Sequence, residues 1–199
     1  DERVIEVVQM VLSGKVNKRL SLELNLDGIK AVGLSGVDNK LIEACKKYVY
    51  KNNEKIDIGY VGKVTGINSE FIKKLLANGQ VPVISPIGCD EEGKIYNINA
   101  DYAAAFVSSA LDAEKLIILT DVEGVYRDID NPGSIIHEMD VKDVNYYIKE
   151  EIIKGGMIPK MQCCASAIEN GTKKVHLIDG RKNHCLLKDI LNYNGTIIS

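Results

Sequence analysis

The chain has 199 residues, is 45% hydrophobic and 27% charged, and carries a formal net charge of −3, which fits a globular domain, or a domain with part of a second, and excludes a disordered chain. Its pI of about 5.7 leaves no basic excess of the kind a dedicated nucleic-acid binder carries, and no apolar run approaches the roughly 18 residues needed to cross a bilayer. Asp1-Glu2-Arg3-Val4 shows neither the n-region nor the h-region of a signal peptide, and Cys45, Cys89, Cys163, Cys164 and Cys185, lacking CxxC spacing, read as reduced thiols of a cytoplasmic protein with no metal site.

In chain order, Val4, Val8, Val11 and Leu12 share one face of a first helix. Ile29 to Leu34 reads as a strand ending in Gly33-Leu34-Ser35-Gly36. Cys45 to Ile67 holds two β-like runs, YVY and IGYVGKV, expected as an antiparallel flap. Phe71, Leu75 and Leu76 give the apolar face of a helix over 69–78, capped by Asn68 or Ser69 and stopped at Gly79. Val81 to Ile84 is the next strand, with Pro82 tolerable near its start. Cys89 to Asn97 reads as a hairpin turning near Glu92-Gly93, and Ala103, Val107, Ala110 and Leu111 mark a third helix. The strand KLIILT (115–120) follows, then a helix from Pro159 to Asn170 stopped by Gly171, the strand KVHLI (174–178), and a helix from His184 to Leu191. Short apolar runs alternating with helices predict an α/β three-layer αβα sandwich with a mainly parallel central sheet and a small β flap. Ligands of such sheets bind beyond the carboxyl ends of the strands.

Three segments on that edge carry chemistry. Asn97-Ile98-Asn99-Ala100-Asp101 precedes the third helix; its carboxamides can donate to a carboxylate and accept from an amide, as an acylated amino acid requires. The other reading of these residues is a helix cap with Asp101 as the dipole's partner. Gly155-Gly156-Met157-Ile158-Pro159-Lys160 enters a helix with a lysine in its first turn, a phosphate-binding end or a Gly-rich turn with a solvated lysine. It is not a Walker A loop. Thr120-Asp121-Val122-Glu123-Gly124-Val125 suits a ribose and base, or a plain strand-to-loop turn.

Taken together, NINAD, TDVEGV, GGMIPK and HLIDGR in this order, with GKVNK at Gly14 to Lys18 and KAVGLSG with Asp38, resemble the acetylglutamate kinases of the amino acid kinase family. The resemblance runs from about Val4 to Ile198. Aspartokinases, uridylate kinases and carbamate kinases share that fold with different residues in these positions. The resemblance implies ATP-dependent phosphorylation of the side-chain carboxylate of N-acetyl-L-glutamate, with Mg²⁺ arriving on the nucleotide and held by its phosphates. It implies Lys160 as the charge donor to the transferring phosphoryl group and Asp101 as its orienting carboxylate. Asn97 and Asn99 fall to the acceptor, and Thr120, Asp121 and Met157 to the nucleotide. The tail resembles the arginine-inhibited members, which implies L-arginine as effector near Asp189 and Gly195 and a homo-oligomer, dimer or hexamer. It also implies an amino-acid-binding lobe ending in 1–35 and a nucleotide-binding lobe over 36–199 with the flap at about 40–100; a single compact unit is the alternative. In the family a Gly-rich strand with a lysine, a Gly-Gly pair and an arginine come before the residues seen here, so the expectation is a chain lacking its N-terminal segment and inactive on its own. Two rival readings are a kinase for a carrier-bound aminoadipate or glutamate, and a non-catalytic nucleotide- or arginine-sensing module.

The chemistry is consistent with such a residue set. A carboxylate acceptor is ionised at pH 7 and needs no general base; the obstacle is its repulsion from an anionic phosphate. Lysines, backbone N–H groups and Mg²⁺ answer that need, and His137, His176 and His184 lie outside the three motifs.

Overall fold

The computed structural model describes residues 1–192 and 195–199. The chain forms two compact units, Asp1–Val107 and Ser108–Ser199. The lobe boundary expected at 35/36 falls inside the first of them.

Unit 1 begins with α1 (Glu2–Gln9), a π-helical stretch (Met10–Val16) and α2 (Asn17–Leu26), which follow one another without leaving helical backbone. Ile5 is the buried residue of α1, while Val4 and Val11 of the expected apolar face are 57% and 42% exposed. The residues turned inward are polar at a spacing of four: Ser13, Asn17 and Ser21, the last two buried. Asn17 donates from Nδ2 to the Leu34 and Val83 carbonyls at 3.0 and 2.7 Å. It thereby staples β1 (Ala31–Ser35) to its parallel neighbour further along the chain. Gly33 makes the approach possible, since a Cβ there would lie 2.3 Å from Asn17 Oδ1. An apolar-period reading misses a helix whose inner face is polar.

β2 (Ile42–Lys51) and β3 (Glu54–Ile67) form a long antiparallel hairpin. α3 (Ser69–Ala77) is capped by Asn68, whose Oδ1 accepts from Phe71 N at 3.2 Å, and Gly79 follows at φ +71°. β4 (Val81–Ser85) is the strand that pairs with β1, in the register Ala31↔Val81 to Ser35↔Ser85. β5 (Ile87–Cys89) and β6 (Ile95–Asn97) pair antiparallel, and with β2 and β3 they close a four-stranded barrel, order β2-β3-β6-β5. The expected flap and the expected hairpin are thus one element. Leu41, Ile42, Ile72 and Ile87 are at most 1% exposed and form this unit's core. α4 (Ala100–Ala110) follows directly on the barrel.

Unit 2 contains β7 (Leu116–Thr120), the small pair β8 (Val125–Tyr126) and β9 (Ile135–Ile136), and β10 (Glu138–Met139). Next come α5 (Val144–Lys149), α6 (Met157–Glu169), β11 (Val175–Asp179), α7 (Cys185–Asn192) and β12 (Thr196–Ile198). The sheet order is β10-β12-β11-β7, with β7 and β11 parallel and β12 antiparallel to β11. Every residue of β11 is buried, which is why this segment shows no apolar/polar alternation between its two faces. The parallel strands with their helices are the α/β class expected of the sequence. Among the described residues no helix is long and apolar enough to cross a membrane.

Candidate active site

In unit 1, Asn97 ends β6, its backbone paired to Ile87 and Val61. Asn99 lies two residues on, and its Oδ1 accepts from Tyr102 N at 3.1 Å while its carbonyl accepts from Ala103 N at 3.0 Å. Asn99 is therefore the N-cap of α4, and Asn97 is the carboxamide not committed to capping. Asp101 is half-buried in the first turn of α4, where the positive end of the helix dipole favours a carboxylate. At the carboxyl end of β1, Asp38 Oδ2 accepts from Ser35 N at 2.7 Å and fixes the GLSG turn.

In unit 2, α6 starts at Met157, with Gly156 as its cap residue and no side chain capping it. Lys160 is half-buried at its fourth position. The N–H groups of Met157 and Ile158 already donate to the carbonyls of Lys154 and Gly155, at 3.1 and 3.2 Å, and Pro159 has none to offer. Two N–H groups of this helix start are thus already bonded within the chain. Lys160, the positive end of the helix dipole and the exposed Gly155-Gly156 backbone lie together at this helix start. Met157 lines a cavity of about 460 Å³ with Val122, Gly124, Tyr126, Ile129 and Ile152.

Thr120 ends β7 opposite Asp179 of β11, and Gly180 N donates to the Thr120 carbonyl at 2.8 Å. Thr120 Oγ1 reaches Asp121 Oδ1 at 3.3 Å. Sequence reasoning assigned no role to the ion pairs on this edge. Arg181 holds Asp179 through Nε and Nη2 at 2.9 and 3.0 Å, and this guanidinium depresses the Asp179 carboxyl to about 2. Lys182 pairs with Glu123, which also accepts from the Tyr126 hydroxyl at 3.1 Å, and the Lys182 ammonium holds Glu123 below the usual carboxylate range. The signal was present in the DGRK string next to a strand's carboxyl end. Partner choice among four neighbouring charges needed the register.

Of the two residues expected near an effector, Gly195 lines a cavity of about 300 Å³ with Glu123, His137, Asp179, Lys182 and Lys188. Its φ is +102°, and a Cβ would lie 2.0 Å from the Leu177 carbonyl, so only glycine fits. Asp189 is fully buried and accepts from His176 Nδ1 at 2.9 and 3.0 Å, with Lys115 Nζ at 3.9 Å. It does not line that cavity. Tyr193 and Asn194, inside the expected effector loop, lie outside the described residues. Among the described residues no group of three or more His, Cys, Asp or Glu side chains converges as a cation cage.

A model of the amino acid kinase family matches residues 1–179. The chain belongs to the amino acid kinase family. It is 81% identical over 199 residues to the acetylglutamate kinase of Clostridium acetobutylicum, covering all of this chain and 68% of that protein. It is 45% identical to the acetylglutamate kinase of Moorella thermoacetica, covering 98% of this chain and 67% of the relative. Among solved structures it is similar to smu.665 from Streptococcus mutans, at 30% identity and a TM-score of 0.76, over 98% of this chain and 71% of that one.

Proposed function

We propose that the protein transfers the γ-phosphoryl group of ATP to the side-chain carboxylate of N-acetyl-L-glutamate, as a cytoplasmic enzyme of arginine biosynthesis. The observation that carries this reading is the pair of motif-bearing helix starts: Asn97 to Asp101 at α4 and Gly155 to Lys160 at α6. The name shared by relatives as similar as 81% gives the acceptor. Asn97 hydrogen-bonds the acceptor, with Asn99 shaping the turn that presents it. Lys160 stabilises charge on the transferring phosphoryl group, and Asp101 orients the cations around it. Met157 packs on the nucleotide, and Thr120 and Asp121 meet its polar parts. Mg²⁺ enters as part of MgATP, held by phosphate oxygens and water; such a cation needs no all-protein cage.

ADP release by the full-length protein, measured with N-acetylglutamate, glutamate and aspartate as acceptors, tests the reading. Turnover with N-acetylglutamate alone is expected. Equal turnover with glutamate would overturn the acceptor assignment. Feedback by L-arginine on an oligomeric enzyme rests on Gly195, whose turn borders a cavity with both carboxylates and ammonium groups. Because Asp189 is sealed against His176, a guanidinium reaches it only after α7 moves away from β11. Adding arginine to the same assay decides this: an unchanged rate at millimolar arginine removes the regulatory proposal.

A further inference from the structure

Ser13 stands half-buried in the π-helical stretch Met10–Val16. Backbone bonds there span five residues, as where Asn17 N donates to the Leu12 carbonyl. Such wide turns are rare and occur frequently at functional sites. The Ser13 hydroxyl meets two strand ends at once: Ser85 Oγ lies 2.7 Å away, and Ser35 Oγ accepts from it at 3.2 Å. A hydroxyl has one proton to give, so with that proton on Ser35 the Ser85 hydroxyl donates to Ser13. Ser35 and Ser85 are both buried and face each other as the last pair of β1 and β4. Asn17 ties the same strands earlier, at the Leu34 and Val83 carbonyls. Ser13 ties them at their carboxyl ends, the edge beyond which ligands of parallel sheets bind.

The chain leaving β4 runs against the segment assigned to the acceptor. Pro86 follows Ser85, and its carbonyl accepts from Ile98 N at 2.9 Å; Ile87 then pairs with Asn97. Ser85 is thus one peptide bond and one hydrogen bond from Ile98, the residue between Asn97 and the cap Asn99. The chain leaving β1 is tied to the same place. Gly36 N donates to the Ser85 carbonyl at 3.2 Å, and a Cβ on Gly36 would lie 2.1 Å from the Ile87 carbonyl. A shift of Ser85 is therefore passed to the backbone that carries the Asn97 carboxamide. A misplacement of about 1 Å in a group that aligns a substrate is enough to be felt in the kinetics.

We propose that Ser13 is a positioning residue for the acceptor, its hydroxyl clamping the ends of β1 and β4 and, through Ser85, Pro86 and Ile98, setting where Asn97 presents its carboxamide. This rests on the kinase reading above. Ser13 itself touches neither substrate and makes or breaks no bond; it acts through Asn97.

The test uses the full-length protein and reads KM and kcat for both substrates. Ser13→Ala is expected to raise the KM for N-acetylglutamate roughly fivefold, with the KM for ATP and kcat within about twofold. Ser13→Thr keeps the hydroxyl and should restore most of the loss. Ser85→Ala breaks the same link from the strand side and should repeat the shift. Ser21→Ala removes a buried hydroxyl from the same helix face, one bonded to the Asn17 carbonyl, and should move neither KM. The deciding measurement is the double variant: with Asn97→Ala already in place, Ser13→Ala should add nothing to the acceptor KM, because nothing remains for it to position. Full additivity with Asn97→Ala, an equal shift for both substrates, or no shift at all overturns the proposal. Absence of ADP release from the unsubstituted protein is a different result: it sinks the kinase reading and this inference with it.

Discussion

α4 starts with a side-chain cap and an anion, whereas α6 starts with no side-chain cap and a cation. In α4, Asn99 holds the Tyr102 N–H, and Asp101 occupies the first turn, so the positive end of the helix is met by the chain itself. In α6, Gly156 supplies no capping side chain, no acidic residue stands in the first turn, and Lys160 adds positive charge to an already positive end. Withholding a cap costs helix stability. A start that lacks a side-chain cap and carries a lysine suits an external anion, in the proposed function the phosphates of ATP. A Gly-Gly entrance and an Asn entrance thus differ in which partner completes them.

The contrast is most exposed at Lys160. Lys160→Ala in the full-length protein should lower kcat by roughly 10² or more, as loss of a transition-state charge donor does. An unchanged kcat with a raised KM for ATP would make α6 a binding end only. The two asparagines before α4 separate next. Asn97→Ala should raise the KM for N-acetylglutamate about tenfold, with little effect on that for ATP. Asn99→Ala should instead destabilise the fold by about 1 kcal/mol, the usual cost of a lost cap, seen as a Tm lower by roughly 2–4 °C. Exchange of these two phenotypes would reverse the assignment of cap and ligand.

Giving α6 the cap it lacks approaches the same contrast from the other side. Gly156 has φ −65°, and a Cβ added to it would meet nothing within 4 Å, so Gly156→Asp is sterically accepted. The added carboxylate should leave Tm unchanged or raise it, while increasing the KM for ATP several-fold, about what one misplaced charge at a helix end produces. A KM for ATP that does not move would show that phosphate does not use this end. The mildest effect is at the edge of β11. Asp179 is held near 2 by Arg181, below its ordinary value of about 3.9. Its contribution to stability is therefore present above about pH 4 and is lost as pH falls toward 2. The denaturation midpoint of Arg181→Ala should lie below that of the unsubstituted protein at pH 6, and the gap should close over that window. A gap that stays constant with pH would mean Arg181 acts by packing.

Most strands and helices could be read from the sequence because their signals are local. KLIILT and KVHLI lack alternation, the second because both faces of β11 are buried; Asn68 and Gly79 punctuate α3 within a few residues of its ends. α2 escaped because its inner face is polar, its Asn17 amide nitrogen held by carbonyls 17 and 66 residues away. The barrel escaped because β2–β5 and β3–β6 each rest on a single paired position, which no periodicity records.

The candidate site divides along the same line. The motif residues, their order, the α/β class and the resemblance to a kinase family were all legible in the linear chain, since residue identity and short-range spacing are all those need. It took the folded arrangement to show that Asn99 caps while Asn97 does not, that the α6 entrance has spent two of its N–H groups, and that Asp189 is sealed against His176 while Gly195 borders a cavity. These are choices among chemically equivalent partners, made by burial and by contacts between residues far apart in the chain, and a linear pattern does not encode which carboxylate or carbonyl arrives.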